Sequence, residues 1–127
     1  MILLDTDVMI DVLRKHPPAV AWLQASLTEE LSLPGLVVME LLQGCRTIDE
    51  QQRVEALLHP YILYWPTQTD CARALADFTA YHLSHNLGLL DSLIAETAIG
   101  LGMTLATFNE KHYSALSALK TAQPYSR

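Results

Sequence analysis

No stretch of the chain approaches the roughly 20 consecutive apolar residues that a membrane-spanning helix needs, although half of its 127 residues are hydrophobic. The opening apolar run has no basic lead and is too short for a signal peptide. A cytoplasmic protein with no membrane partner is therefore the expectation. Cysteine is scarce: Cys45 and Cys71 are the only two, and neither lies in a CxxC pair, which excludes a disulfide framework. Both read as small buried hydrophobes. Positive charge is short as well, with 8 Lys and Arg against 14 Asp and Glu and a formal net charge of −6. No overall field would draw in a nucleic acid, so a polyanionic substrate needs local attraction from a metal ion or from clustered arginines. Internal repeats, linkers and low-complexity segments are absent, and the length suits one domain with its own core.

What is present alternates between two periods. "MILL" is apolar without a break, the pattern of a strand buried on both faces in a parallel sheet. Val8, Ile10, Val12 and Leu13 predict a short helix stopped near "KHPP", and Pro18 suits the first turn of a second helix, "PAVAWLQASL". "ELSLPG" reads as a strand, "LVVMELLQG" as a mostly buried helix ended by Gly44, and "IDEQQRVEALL" as a helix packed through Ile48, Val54, Leu57 and Leu58. "YILYW" fits a third strand closed by Pro66. A long helix over about Thr69–His85 ends at "NLG", and "LLDSLIAETAIGLG" repeats Leu90, Leu93, Ile94, Ala98 and Leu101 at helical spacing. "MTLATF" is a fourth strand, "NEKHYSAL" a turn or short helix, and "LKTAQPY" a last strand ended by Pro124. Strands alternating with helices predict an α/β sandwich around a mainly parallel sheet.

Acidic residues in apolar settings carry the chemistry. Asp5 stands where the first strand should end, the level at which open parallel sheets bind ligands, with Asp7 and Asp11 close behind. Like charges at close range repel, so their crowding points to something bound. Glu40 lies inside the apolar "LVVMELLQG", where an ionised carboxylate is costly unless paired or metal-bound. Asp91 opens the "DSLIAETA" helix, Glu96 follows five residues on, and Asn109 sits at the carboxyl end of the fourth strand. Taken singly, each has an ordinary explanation: Asp5, Asp7 and Asp91 as helix caps, Glu40 and Glu96 as solvated residues, Asn109 as a turn residue. Jointly, the strand ends at Asp5 and Asn109 and the helix positions Glu40 and Asp91 could converge on one rim. Oxygen ligands of this type suit Mg²⁺ or Mn²⁺, which would reverse the repulsion of a phosphodiester and activate water. His82 and His85 read as surface residues, and Trp22 and Trp65 as core or dimer contacts.

In order and spacing, "MILLDTDVMIDVLRK", "LPGLVVMELLQGCR", "LGLLDSLIAETAIGLGMTLATFNEKHY" and "LKTAQPY" resemble the PIN-domain ribonuclease toxins of VapBC toxin–antitoxin systems, over essentially the whole chain. The resemblance implies a single PIN domain over residues 1–127, a three-layer α/β/α sandwich with a mainly parallel central sheet. It implies the toxin of a type II toxin–antitoxin system, a Mg²⁺- or Mn²⁺-dependent endoribonuclease whose metal-activated water cuts RNA to leave a 5′-phosphate and a 3′-hydroxyl. Carried over by position, Asp5 and Asp91 bind the metal, Glu40 binds it through water or orients the attacking water, and Asn109 takes the fourth catalytic position. Thr6, Asp7, Thr107 and His112 fall at supporting positions. Arg14, Lys15 and Arg46 are the candidates for holding RNA phosphates. The family also implies a homodimer and a cognate antitoxin that inserts an arginine among the acids.

The sequence departs from the family where many PIN nucleases carry Asp and this chain has Asn109, with His112 preceding Tyr113. An amide oxygen brings no charge, which puts a second metal in question and keeps open an alternative, a catalytically silent PIN domain that binds RNA or protein. A haloacid-dehalogenase-type phosphatase, suggested by "LLDTDV", needs a lysine and a later acidic pair after a strand, and no Asp-Asp pair occurs. A signalling receiver needs an acid at the end of its third strand, and "YILYWPTQTD" has none there.

Overall fold

The computed structural model describes residues 1–26 and 31–127. Five short strands form one sheet: β1 (Ile2–Leu4), β2 (Leu31–Pro34), β3 (Ile62–Tyr64), β4 (Thr104–Ala106) and β5 (Thr121–Ala122). Their order is β3-β2-β1-β4-β5, and every neighbouring pair is parallel. Parallel neighbours need crossovers, which the helices supply: α1 (Thr6–Leu13), α2 (Pro17–Ala25), α3 (Gly35–Gln43), α4 (Ile48–Leu58), α5 (Gln68–His85), α6 (Leu89–Leu101) and α7 (Glu110–Tyr113). The architecture is the expected three-layer α/β/α sandwich.

The unbroken apolar run of β1 has the predicted cause, and the strands beside it share its burial. Leu3 and Leu4 in β1, Leu33 in β2 and Leu105 in β4 are fully buried. They pack with Met9, Val37, Leu41, Ile94, Ala95 and Ala98 from the covering helices. β1 is central, paired with β2 on one side and β4 on the other. Because Leu4 partners Ala106, the next residues, Asp5 and Thr107, leave the sheet side by side.

Most helix ends follow local chemistry. Asp5 itself is the N-cap of α1, its Oδ1 accepting from the Thr6 amide, so Asp7 lies in the first turn instead of capping. The N-cap of α6 is Gly88, and Asp91 is the third helical residue folded back onto it. α6 stops at Gly102, whose φ of 66° is the left-handed conformation a β-carbon disfavours. Asn86 ends α5 in the same way, whereas Gly44 ends α3 with an ordinary right-handed φ of −75°.

Several burial expectations fail. Ile48 and Leu57 on α4 are 74% and 58% exposed, leaving Leu58 as the buried residue of that helix. Cys71 is exposed and Cys45 half-buried, its thiol donating to the Leu41 carbonyl, so neither is a fully buried hydrophobe. Trp65, expected in the core or at a dimer contact, is not in the core: it is exposed and lies over Gly35, so close that a β-carbon there would strike the indole. The strands are also shorter than predicted: Met1 is exposed, and the fourth and fifth shrink to three and two residues. Of the predicted second helix and second strand, Leu27 and Glu30 lie outside the described residues.

Candidate active site

The parallel register of β1 and β4 sets up the site. The Thr107 hydroxyl donates to Asp5 Oδ2 at 2.8 Å and accepts from the Asn109 amide at 3.0 Å. Tyr113, at the end of α7, donates its hydroxyl to the same Asp5 Oδ2 at 3.0 Å and lies 3.4 Å from Asp91 Oδ1. Asp91 Oδ2 is held in turn by the Gly88 amide at 3.0 Å. On the other side of Asp5, the Thr6 hydroxyl donates to Glu40 Oε1 at 2.9 Å, tying α1 to α3.

The structure therefore brings Asp5, Thr6, Glu40, Asp91 and Thr107 into one network around the carboxyl end of β1. Glu40 joins through Thr6 rather than directly. Among the described residues, no three acid, His or Cys side chains come together as a ready-made metal cage. The donors are nonetheless all hard oxygens, and two carboxylates face one another across a single hydroxyl. That is the donor set Mg²⁺ or Mn²⁺ takes while keeping several waters. Asp5 and Asp91 are the residues that could hold the ion, and Glu40 connects to Asp5 only through Thr6.

Electrostatics agree with an anionic site that wants a cation. Asp5 is 3% exposed, and its carboxyl is pushed up to about 6, first by burial and then by the Asp7 charge. Hydrogen bonds from Thr107, Thr6 and Tyr113 pull the other way without prevailing. Burial also raises Asp7, opposed by the Phe108 and Val8 amides and by Arg127. The Tyr113 phenol is raised by burial and by its neighbours Asp5 and Asp91, so it stays a neutral hydrogen-bond donor.

The other members of the opening acidic run have separate work. Asp7 Oδ2 accepts from the Phe108 amide at 2.9 Å and so fixes the turn after β4. Asp11 is paired with Arg127 at 2.9 Å and accepts the Tyr125 hydroxyl at 2.7 Å. Burial raises Asp11, but those partners outweigh it and hold the carboxyl below its usual range. The Arg127 guanidinium also lies over the Phe108 ring, 4.3 Å from its centre, so the C-terminal segment clasps α1 to the β4–α7 turn.

The remaining predicted residues are placed less tightly. Asn109 caps α7 by position without a side-chain hydrogen bond to the helix. His112 contributes a backbone bond to Asn109. Arg14 and Lys15 line a groove of about 820 Å³ between α1, α3 and α4 that has Thr6 and Glu40 on its wall. Arg46 does not line it; its amide bonds Glu50, and Arg53 stands in the groove instead. Glu96 is neither near the site nor solvated: it is 5% exposed and pairs with Arg73 of α5 at 2.8 Å. His82 stacks on Phe78, and His85 meets Tyr81 edge-on, each one turn earlier in α5. The residue that sequence reasoning missed is Tyr113. Its only signal was a polar tip on the last residue of "NEKHY", and its hydroxyl's target lies 108 residues upstream.

Fold and site define a small parallel-sheet α/β domain with an acidic centre where its strands end. The PIN domain family profile matches residues 2–116. Ribonuclease VapC10 of Mycobacterium tuberculosis is 36% identical over 122 residues, 94% of this chain and 91% of that protein. Among solved structures, FitAcB from Neisseria gonorrhoeae superposes with a TM-score of 0.71 at 26% identity, over 98% of both chains. A toxin–antitoxin complex from Klebsiella pneumoniae reaches a TM-score of 0.77 at 24% identity over the full length of both, a likeness of fold. The chain belongs to the PIN-domain family, and within it to the VapC group.

Proposed function

We propose that this protein is the toxin of a type II toxin–antitoxin pair and acts as a Mg²⁺- or Mn²⁺-dependent endoribonuclease. The observation that carries this reading is the pair Asp5 and Asp91, facing one hydroxyl at the carboxyl end of the central strand, with Glu40 one threonine away. Relatives named ribonucleases support the activity, and neighbours that are toxin–antitoxin complexes support the partner.

Asp5 and Asp91 would hold the ion, which when bound supplies Lewis acidity at a phosphate oxygen and a water of lowered pKa. Thr107 and the Thr6 amide keep Asp5 in its rotamer. Glu40 has one oxygen committed to Thr6, and the other is free to orient a water or take its proton. Asn109 contributes a neutral amide at the rim. Arg14 and Lys15, joined by Arg53, offset the net negative charge along the groove and hold the RNA phosphates. The antitoxin would cover the same groove and bring an arginine to the acids. A homodimer is supported by exposed Met39 on α3 and by Leu75 and Leu83 on α5, and light scattering of the purified protein tests it. No described helix is long and apolar enough to cross a membrane; a cytoplasmic site of action is part of the proposal.

The test is incubation of purified protein with total RNA, with and without EDTA, followed by mapping of new ends. Products with a 5′-phosphate that vanish with EDTA are expected. Products with a 2′,3′-cyclic phosphate would overturn the mechanism. RNA binding without cleavage would favour the silent binding module, for which Asn109 is the motivating residue.

A further inference from the structure

We propose that the Tyr113 hydroxyl is the positioning group that keeps the Asp5 and Asp91 carboxylates aligned to share a divalent cation, an inference that rests on the metal-dependent reading above. Tyr113 is 2% exposed, and its ring belongs to the hydrophobic core together with Leu4, Ala106 and Leu116. Packing therefore sets where the phenol oxygen sits, and the acids adjust to it.

The two carboxylates are pinned from outside by local bonds: Asp5 Oδ1 by the Thr6 amide, Asp91 Oδ2 by the Gly88 amide. Their inner oxygens, Asp5 Oδ2 and Asp91 Oδ1, point at the same hydroxyl, 3.0 and 3.4 Å away. A phenol carries one proton, which goes to the nearer acceptor, Asp5, while the hydroxyl dipole stands between two like charges. Thr107 also donates to Asp5 Oδ2 but has no bond to Asp91, so Tyr113 alone among these donors reaches both acids. Without that hydroxyl the carboxylates face each other across a gap with only repulsion between them, and Asp91, then held by the Gly88 amide alone, can rotate away while the Thr6 amide and Thr107 keep Asp5 in place. Outer partners of ligating carboxylates commonly govern metal affinity for this reason.

The experiment measures Mn²⁺ binding by electron paramagnetic resonance and calorimetry for the wild type, Tyr113→Phe and Asp5→Asn. Phenylalanine keeps the ring in the core, so the thermal midpoint without metal should stay within a few degrees. The expected result is Mn²⁺ affinity lower by about tenfold or more in Tyr113→Phe, and no measurable binding in Asp5→Asn. A Tyr113→Phe protein that binds Mn²⁺ as tightly as the wild type, or more tightly, overturns the proposal while leaving the metal site itself standing. A second readout does not depend on that variant folding. Mg²⁺ should perturb the near-ultraviolet tyrosine absorption of the wild type and, to the same extent, of Tyr125→Phe; no perturbation counts against Tyr113. If the wild type binds neither ion, the metal-dependent reading and this proposal fall together.

Discussion

The Thr107 hydroxyl donates to the carboxylate of Asp5 across 2.8 Å, joining residues 102 positions apart in the chain. The contact follows from strand register: once Leu4 pairs with Ala106, the residue after each strand meets the residue after the other. An acidic centre is thus placed by the rigid middle of the sheet, and each acid can be tested without dismantling the fold.

Replacing Asp5 or Asp91 with Asn should lower RNA cleavage at least as much as the ~100-fold that outer-shell changes cost at metal sites. Circular dichroism should show an unchanged fold, because Asn keeps the volume and removes a buried charge. Wild-type cleavage by either variant in Mg²⁺ would mean that the site is elsewhere.

Asp5 also predicts a pH dependence. Its folded pKa of about 6 lies above the roughly 4 of an unfolded aspartate. Between those values the native state holds a proton that the unfolded state has lost, so this group's contribution falls as pH rises from about 4 to about 6. Two pKa units correspond to ~3 kcal/mol, in full above pH 6. Urea denaturation of metal-free wild type and Asp5→Asn at pH 4.5 and 7 isolates the term: the variant should gain on the wild type at the higher pH. Saturating Mg²⁺ should close that gap by stabilising only the wild type.

Gly88 offers a test that leaves every acid in place. A β-carbon on Gly88 would sit 2.8 Å from Asp91 Oδ2, and the glycine's φ of −79° suits alanine. Gly88→Ala should therefore cost little stability and push the Asp91 carboxylate aside. Weaker Mn²⁺ binding with an almost unchanged melting temperature is the expected pair of results.

Away from the site, Asp77 of α5 has its carboxyl pushed up to about 7 by burial and by the neighbouring Glu96, against the pull of Arg73. Its Oδ2 is buried with no hydrogen-bond partner. The folded pKa is raised, so ionisation destabilises the native state above about pH 7, and the effect fades toward pH 4. Asp77→Asn should be more stable than the wild type at pH 8, with the difference shrinking through pH 5 and nearly gone by pH 4 in urea titrations.

Much of this molecule was legible in the sequence because the responsible forces are local. The doubly buried β1 shows as an unbroken apolar run, and α6 shows as a repeat of Leu90, Ile94 and Ala98. The resemblance then pointed to Asp5, Glu40 and Asp91, and the fold brings them to one network. Surface assignments were less legible. Ile48 and Leu57 keep helical periodicity while facing outward, because period alone does not say which stripe meets the sheet.

Taken alone, the order of residues determined which segments coil, which extend, and that acids stand where a strand ends, since backbone preference and apolar period act over a few neighbours. Only the tertiary structure decided which acids face each other and through what. Tyr113 reaches back 108 residues to Asp5, and Arg127 reaches back 116 to neutralise Asp11. Those partners are chosen by the strand order β3-β2-β1-β4-β5, a matter of long-range packing that no local pattern records.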